Sequence, residues 1–359
     1  MLTEQRAHHL AKASESFQEL LGQISANEFI DWVIHELGHP EALDDFQQVG
    51  DILTKAVPPK HLLHIISGNT PHAGLQSLLR GLLIGAQNTF KLPSNKTGAE
   101  SLPEVTAFYR SLPKQLQHLC LFTSELSDSL LASADCVIAI GSDRAIEAIH
   151  SRLTPQQRFI PHGHKISFGL IDKPSAKNAQ LAAIDASLFN QQGCLSPHAI
   201  YVKQGAAEFA PMLAKAMESY GQRDPRYAID LSESGAIRNL RETVRYKAAQ
   251  DSDNYQLYES KGDTSWTVIF ENSPVLHPSP LNRTIYVRPW PEDPRELGKE
   301  LEYLSTIALS PLPALLKIVE CLTPTRVCQL GKAQYPHLFW HHDGFAPLAS
   351  LISWQDIHL

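Results

Sequence analysis

One cysteine of this chain stands where a side chain can serve as a nucleophile. Cys194 lies in Phe189-Asn190-Gln191-Gln192-Gly193-Cys194-Leu195-Ser196-Pro197, a polar turn between a helical pattern and the apolar run Ile200-Tyr201-Val202. Such a turn holds one reactive atom on rigid supports, and Gly193 lets another group approach the sulfur closely. A thiolate attacks carbonyl carbon near neutral pH wherever dipoles or charges favour its ionised form. A cysteine beside glycine in a polar loop also occurs without any chemistry, so the rest of the chain must support the reading. His162 and His164 are two apart and face one side of a strand, as metal ligands do, and His341, His342 and Asp343 would complete a site. Adjacent residues rarely chelate one ion together, and no Cys or Glu clusters with them in sequence, so no metal is expected. The remaining readings for His162 and His164 are a proton donor and hydrogen-bonded loop histidines. Cys120 and Cys136 in apolar strands, and Cys321 and Cys328 near a helix end, read as buried small hydrophobes.

The elements that must position Cys194 follow an α/β alternation. A helix with Leu181, Ile184 and Leu188 on one face leads into the turn, and a strand leaves it. Upstream, residues 1 to about 57 read as helices, with Phe17, Leu20, Leu21 and Ile24 and then Phe29, Trp32, Val33 and Leu37 at helical spacing; Pro58-Pro59 closes them. Strands follow at His61–Ile66, 89–92, 119–122 and 136–140, separated by helices that include the leucine stripe Leu75, Leu78, Leu79, Leu82 and Leu83. This spacing implies parallel pairing with right-handed crossovers. Ligands of such sheets gather at the carboxyl ends of strands, where Gly68-Asn69-Thr70-Pro71, Pro93-Ser94 and Gly141-Ser142 fall. Ser142, opening a helix, reads either as a pyrophosphate contact at a helix N-terminus or as a cap. Past Cys194 the alternation is less clear: a helix near 206–220, strands near 266–270 and 284–288, a proline-containing loop over 271–283, and a helix near 313–321.

Composition narrows the class. With 359 residues, 43% hydrophobic and 19% charged, the chain suits two globular domains. A formal charge of -7 argues against nucleic acid as partner. No apolar run approaches a membrane span, and the N-terminal residues lack a signal-peptide layout. Five cysteines without a CxxC pair do not form a disulfide framework, so a reducing cytoplasm is the expected location.

Several loops share one pattern. Asn69-Thr70-Pro71 before the leucine-rich helix, then Thr89-Phe90-Lys91-Leu92-Pro93-Ser94, Gly141-Ser142 after an apolar strand and Gln192-Gly193-Cys194 resemble the cofactor half and nucleophile loop of the aldehyde dehydrogenase superfamily. Gln191-Gln192-Gly193-Cys194-Leu195-Ser196-Pro197 and the tail Trp340-His341-His342-Asp343-Gly344 are more closely similar to its acyl-CoA reductase branch, the type of the long-chain fatty acyl reductase of bacterial luminescence. The resemblance covers about 60–205 and 326–356 well and the region between loosely. It implies two Rossmann-like parallel-sheet domains with the active site between them. Residues 1–172 with 335–359 would form the nicotinamide domain, and 173–334 the catalytic domain carrying the cysteine.

The resemblance also implies a mechanism. The Cys194 thiolate attacks an acyl thioester, the carrier thiol leaves, and hydride from NADPH or NADH converts the acyl-enzyme to a thiohemiacetal that collapses to the aldehyde. Asn69 and the Cys194 N–H would hold the oxyanion, though Asn69 also suits a helix cap. Lys91 would contact the adenosine ribose with Ser94 near it, and Gly141 and Ser142 the pyrophosphate; there is no GxGxxG, which this superfamily does not use. Lys91, Lys96 and Arg144 are candidate partners for a 2′-phosphate. Oxidising members carry a water-activating glutamate where this chain has Phe159-Ile160-Pro161-His162-Gly163-His164-Lys165-Ile166-Ser167, a departure that favours reduction. Acyl-CoA or an acyl-carrier protein is the expected substrate, and a homo-oligomer or a complex with an acyl-transfer partner the expected assembly. The alternatives are an acyl-phosphate reductase of the same fold and a non-catalytic acyl-binding subunit.

Overall fold

The computed structural model describes residues 1–68, 71–93 and 102–358, and in it the apolar runs pair as parallel strands. Contacts divide the chain into two units, 1–164 with 337–359 and 165–336. The break falls at 164/165 rather than after 172, because strand Ile166–Ile171 pairs on both sides with strands of the second unit.

In the first unit, helices Thr3–Ser14 and Ala26–Leu37 bury the expected apolar faces, including Phe29, Trp32, Val33 and Leu37. Ser25 and Glu28 cap the second reciprocally, Glu28 N–H donating to Ser25 Oγ at 3.2 Å and Ser25 N–H to Glu28 Oε2 at 2.7 Å. Helix does not extend to residue 57. Strands β1 (Gln47–Val49) and β2 (Ile52–Val57) form a hairpin whose Val49↔Ile52 pair closes around Gly50, at φ +60°. A two-residue loop of this kind needs the left-handed region that glycine enters freely, and Gln47-Gln48-Val49 offers no helical apolar stripe. The C-terminal strand Ser353–His358 pairs antiparallel with β2.

The unit's main sheet holds β3 (His61–Ile66), β4 (Gln87–Lys91), β5 (Cys120–Thr123), β6 (Cys136–Ile140) and β7 (Arg158–His162) in the order β5-β4-β3-β6-β7, all parallel. Winding outward in both directions from β3 makes β3 and β6 the switch point, where a crevice opens beyond the carboxyl ends of the strands. Leu75, Leu78, Leu79, Leu82 and Leu83 of helix Pro71–Ile84 are wholly buried against this sheet.

In the second unit β8 (Ile166–Ile171), β9 (Pro197–Val202), β10 (Tyr255–Glu259), β11 (Thr267–Glu271), β12 (Thr284–Pro289), β13 (Leu304–Ser310) and β14 (Arg326–Gln329) run in the order β10-β11-β12-β9-β8-β13-β14. Only β10 is antiparallel to its neighbour. Every residue of β8 and β9 is buried, as expected for central parallel strands covered on both faces. Helix Ala176–Ser187 turns a different face inward from the one its large residues suggest: Ala179, Ala182, Ala183 and Ala186 are buried, while Leu181 and Ile184 are only half-buried. The alanines let helix Ala206–Arg223 pack closely, which larger side chains would prevent. Helix Leu231–Gln250 and strands β10, β13 and β14 were not legible in the sequence. Among the described residues no helix is long and apolar enough to cross a membrane.

Candidate active site

Cys194 is half-buried in the turn between a short 3-10 segment, Leu188–Gln191, and β9, at the amino end of that strand. Phe189, Asn190 and Gln191 hold φ of 51°, 52° and 65°, three consecutive left-handed residues without a glycine. Each costs about 1–2 kcal/mol, so the surroundings must over-determine this backbone. Gln191 does so. Wholly buried, its Nε2 donates to Pro197 O at 2.8 Å, Thr284 O at 2.9 Å and Ser279 Oγ at 3.3 Å, while its Oε1 accepts Thr284 N–H at 2.8 Å. Next to it, Gln192 Nε2 donates to Asn282 Oδ1 at 2.9 Å. On the other side of the turn, Ser167 Oγ of β8 donates to the Cys194 carbonyl at 3.1 Å and accepts Thr306 N–H at 3.2 Å. Ser196 N–H closes the turn onto Gly193 O at 2.9 Å, and Gln334 Nε2 donates to Ser196 Oγ at 2.6 Å. The nucleophile candidate therefore sits on backbone fixed from both flanks.

Sequence reasoning passed over Gln191, Ser167, Gln334 and a cation, Arg326 of β14. The Arg326 guanidinium interacts electrostatically with Cys194, Cys328 and Asp185, each of which favours its charge; burial pulls its pKa below the ordinary value. Nothing in local spacing ties residue 326 to residue 194. The other cysteines split. Burial pushes Cys120 and Cys136 up to about 12 and Cys328 to about 11, which leaves them neutral thiols, whereas Cys321 is exposed rather than buried. Cys321 lies in a short 3-10 turn at the surface, its sulfur 3.7 Å from the Ile318 carbonyl.

The expected cofactor residues lie in the first unit. Lys91 ends β4, opposite Ile65 of β3, which in turn faces Ala139 of β6; burial lowers its pKa. Gly141 follows β6 beside the switch point, its N–H donating to His162 O at 3.1 Å. Ser142 is the N-cap of helix Asp143–His150, its Oγ accepting Ala145 N–H at 3.3 Å. Arg144 is exposed. Asn69, Ser94 and Lys96 lie outside the described residues.

Three of the five residues weighed as metal ligands come together, 181 residues apart in sequence. His162 Nδ1 is 2.8 Å from Asp343 Oδ2, His342 Nε2 is 3.7 Å from the same oxygen, and all three side chains are at least 95% buried. The two imidazoles stack with centroids 3.9 Å apart and planes 13° apart. One ligand atom from each of the three lies within 4.8 Å of the others, a spacing that could hold a metal ion, so the sequence argument from adjacent residues does not dismiss the group. His164 and His341 stay outside it, both exposed. Residues 159–167 contain no carboxylate of their own. Asp343 meets the stretch at His162, and Asp143 Oδ1 accepts His164 N–H at 2.6 Å.

A family model described as acyl-CoA reductase (LuxC) matches residues 2–354. A long-chain acyl-protein thioester reductase of Aliivibrio fischeri is 25% identical over 351 residues, covering 91% of this chain and 70% of that protein. Among solved structures, the gamma-glutamyl-gamma-aminobutyraldehyde dehydrogenase of Burkholderia cenocepacia superposes with a TM-score of 0.71 at 13% identity, covering 99% of this chain and 84% of that one. An NAD-dependent benzaldehyde dehydrogenase of Corynebacterium glutamicum superposes with a TM-score of 0.64 at 12% identity, covering 100% of this chain and 86% of that one. The α/β fold with two parallel-sheet units is thus aldehyde dehydrogenase-like.

Proposed function

The chain belongs to the acyl-CoA reductase (LuxC) family, and on that premise we propose that it reduces an acyl thioester to an aldehyde, with Cys194 carrying the acyl group. The observation that carries this reading is the cysteine turn, which spends three left-handed residues and a fully bonded buried glutamine on fixing one half-buried thiol. Acyl-CoA and acyl-protein donors share the thioester, so one nucleophile serves either. The Cys194 sulfur bonds to the carbonyl carbon, the carbon–sulfur bond to the carrier breaks, and the carrier leaves as a thiol after taking up a proton. The Cys194 N–H and Asn69 are the donors assigned to the oxyanion. Each such donor contributes about 3 kcal/mol to barrier lowering in comparable sites.

A reduced nicotinamide is the hydride source that this chemistry requires, and NADPH is the form assigned. The residues fit such a group: a parallel sheet with its switch point at β3 and β6, the Lys91 ammonium at the end of β4, and Gly141-Ser142 opening a helix beside it. Lys91 and Ser94 are assigned to the adenosine end and Gly141 and Ser142 to the pyrophosphate. Residues 159–167 contain no carboxylate, and this departure from the oxidising pattern supports reduction over hydrolysis. The intermediate lasts until it is reduced, the thiohemiacetal expels the Cys194 thiolate, and aldehyde leaves. The test is aldehyde release with NADPH from long-chain acyl-CoA, an acyl-protein thioester and an acyl phosphate, with Cys194→Ser alongside. Release from a thioester, absent in the variant, is expected; release from acyl phosphate alone would make the protein an acyl-phosphate reductase.

A further inference from the structure

The C-terminal tail of the first unit completes a buried cluster that the reaction steps do not use. His162 ends β7, paired with Ile140 of β6, and its carbonyl accepts Gly141 N–H at 3.1 Å. His342 and Asp343 return to it on a tight turn. Phe345 N–H donates to His342 O at 3.0 Å, and the two residues between, Asp343 and Gly344, hold φ of 52° and 84°. On an extended chain adjacent side chains point to opposite faces. Two left-handed residues in succession end that alternation, and the His342 and Asp343 side chains converge. His162 Nδ1 lies 2.8 Å and His342 Nε2 3.7 Å from Asp343 Oδ2. Aromatic rings flank both histidines: Trp340 packs on His342 with centroids 4.8 Å apart, and Phe345 meets His162 edge-on at 5.9 Å.

We propose that His162, His342 and Asp343 bind one divalent transition metal ion of the zinc class, against the sequence expectation of none. The proposal does not rest on Cys194 or on the reductase reading. Zinc bonds of about 2.0–2.2 Å to nitrogen and oxygen set tetrahedral donors about 3.4 Å apart, between the 2.8 and 3.7 Å observed. Asp343 offers a second oxygen as well. Its side chain is 4% exposed, and Oδ1 is buried with no hydrogen-bond partner among the described residues. A carboxylate oxygen left so is costly, and a bound cation removes the cost. Two imidazole nitrogens with one or both oxygens make three or four donors, the number zinc takes from protein. The nitrogens select against magnesium and calcium, which favour oxygen shells. The ion replaces the His162–Asp343 hydrogen bond and parts the stacked rings, His162 then carrying its proton on Nε2. Arg80, a buried cation of helix Pro71–Ile84, acts electrostatically on Asp343 and Glu36. It opposes the ion, so donor bonds rather than net charge must hold the metal. Once bound, the ion ties β7 to a tail 181 residues away.

The experiment is zinc binding to the full chain with accessible thiols alkylated, so that cysteines do not compete. After desalting, about one zinc per chain is expected by plasma mass spectrometry, with a thermal midpoint raised by about 4 °C in excess zinc and unmoved by magnesium. Asp343→Asn and His342→Gln keep side-chain shape and should each weaken binding at least about tenfold. His164→Ala and His341→Ala, at exposed neighbours, should leave binding in place. Less than about a tenth of an equivalent on the parent, or full binding kept by both Asp343→Asn and His342→Gln, overturns the proposal. If neither variant folds, Co2+ on the parent decides. Visible bands of four-coordinate cobalt, with the His162 and His342 imidazole resonances broadened together, are expected. No bands, or bands that leave both resonances untouched, overturn it.

Discussion

Acid should destabilise the first unit through one residue, His64. It lies in the middle strand of the five-stranded parallel sheet, wholly buried, its ring stacked on Phe90 at 4.1 Å and 5°. Nδ1 is 2.7 Å from Ser77 Oγ and Nε2 2.9 Å from Asn88 Oδ1. Asn88 Nδ2 donates to Ala86 O at 2.7 Å, which turns Oδ1 toward the ring, so Nε2 bears the proton and Nδ1 accepts from Ser77. The neutral ring is thus satisfied at both nitrogens. Burial first, then the Arg80 and His61 charges, pull its pKa down to about 3, against the Asn88 hydrogen bond. An unfolded histidine takes its proton near 6.5, the folded one only near 3, so between these values the unfolded chain binds more protons and stability falls with pH. At 1.36 kcal/mol per unit the loss is about 2 kcal/mol at pH 5 and about 5 kcal/mol by pH 3, a large part of an ordinary folding free energy of about 5–15 kcal/mol. The assay is urea unfolding of the protein and of His64→Gln from pH 7 to 5. The variant starts less stable, and the gap should narrow by about 2 kcal/mol, while imidazole NMR shows His64 neutral at pH 5. A constant gap, or a His64 titration near pH 6, would refute the reasoning.

The same network explains Gly81, where a Cβ would fall 1.8 Å from Asn88 Oδ1; Gly81→Ala should cost about 2–4 kcal/mol in denaturant unfolding despite alanine's better helix propensity. Gln191→Ala leaves the Thr284 N–H and carbonyl on β12 and the Pro197 carbonyl without their partner, and should lower stability by about 3 kcal/mol and slow Cys194 acylation at least tenfold, read by unfolding and by stopped-flow mass quench. Asp185 carries the opposite pH sign to His64: burial raises it from 3.8 to about 7, so its penalty is absent below pH 4 and grows to about 4 kcal/mol by pH 7. Asp185→Asn should flatten that part of the second unit's stability profile, measured by amide exchange of the β8–β9 core.

Legibility followed sequence distance. The alternation from His61 to Ile140 was readable because its strands are short apolar runs bounded by glycine, proline or serine, and the structure pairs those runs in parallel, β5 at the edge being only half-buried. The cysteine turn was readable because its signals are contiguous. The β1–β2 hairpin was not, since three polar-flanked residues around Gly50 look like the tail of a helical region until pairing with the C-terminal strand is known. The helix before Cys194 was placed correctly and its face was not: large apolar residues drew attention, while tight helix–helix packing selected the alanines. The buried bonds of Gln191 to β12 and of Arg326 to segment 331–335 depend on contacts across many residues, which no local pattern encodes, whereas His162, His342 and Asp343 were already weighed together in the sequence.

The most direct test of the account is the intact mass of the protein after mixing with long-chain acyl-CoA or an acyl-protein thioester, nicotinamide omitted, beside Cys194→Ser. The account predicts a single acyl adduct on the parent, none on the variant, and discharge of the adduct as aldehyde when NADPH is added. An adduct that persists in Cys194→Ser, or aldehyde formed with no acyl-enzyme on the parent, would contradict it.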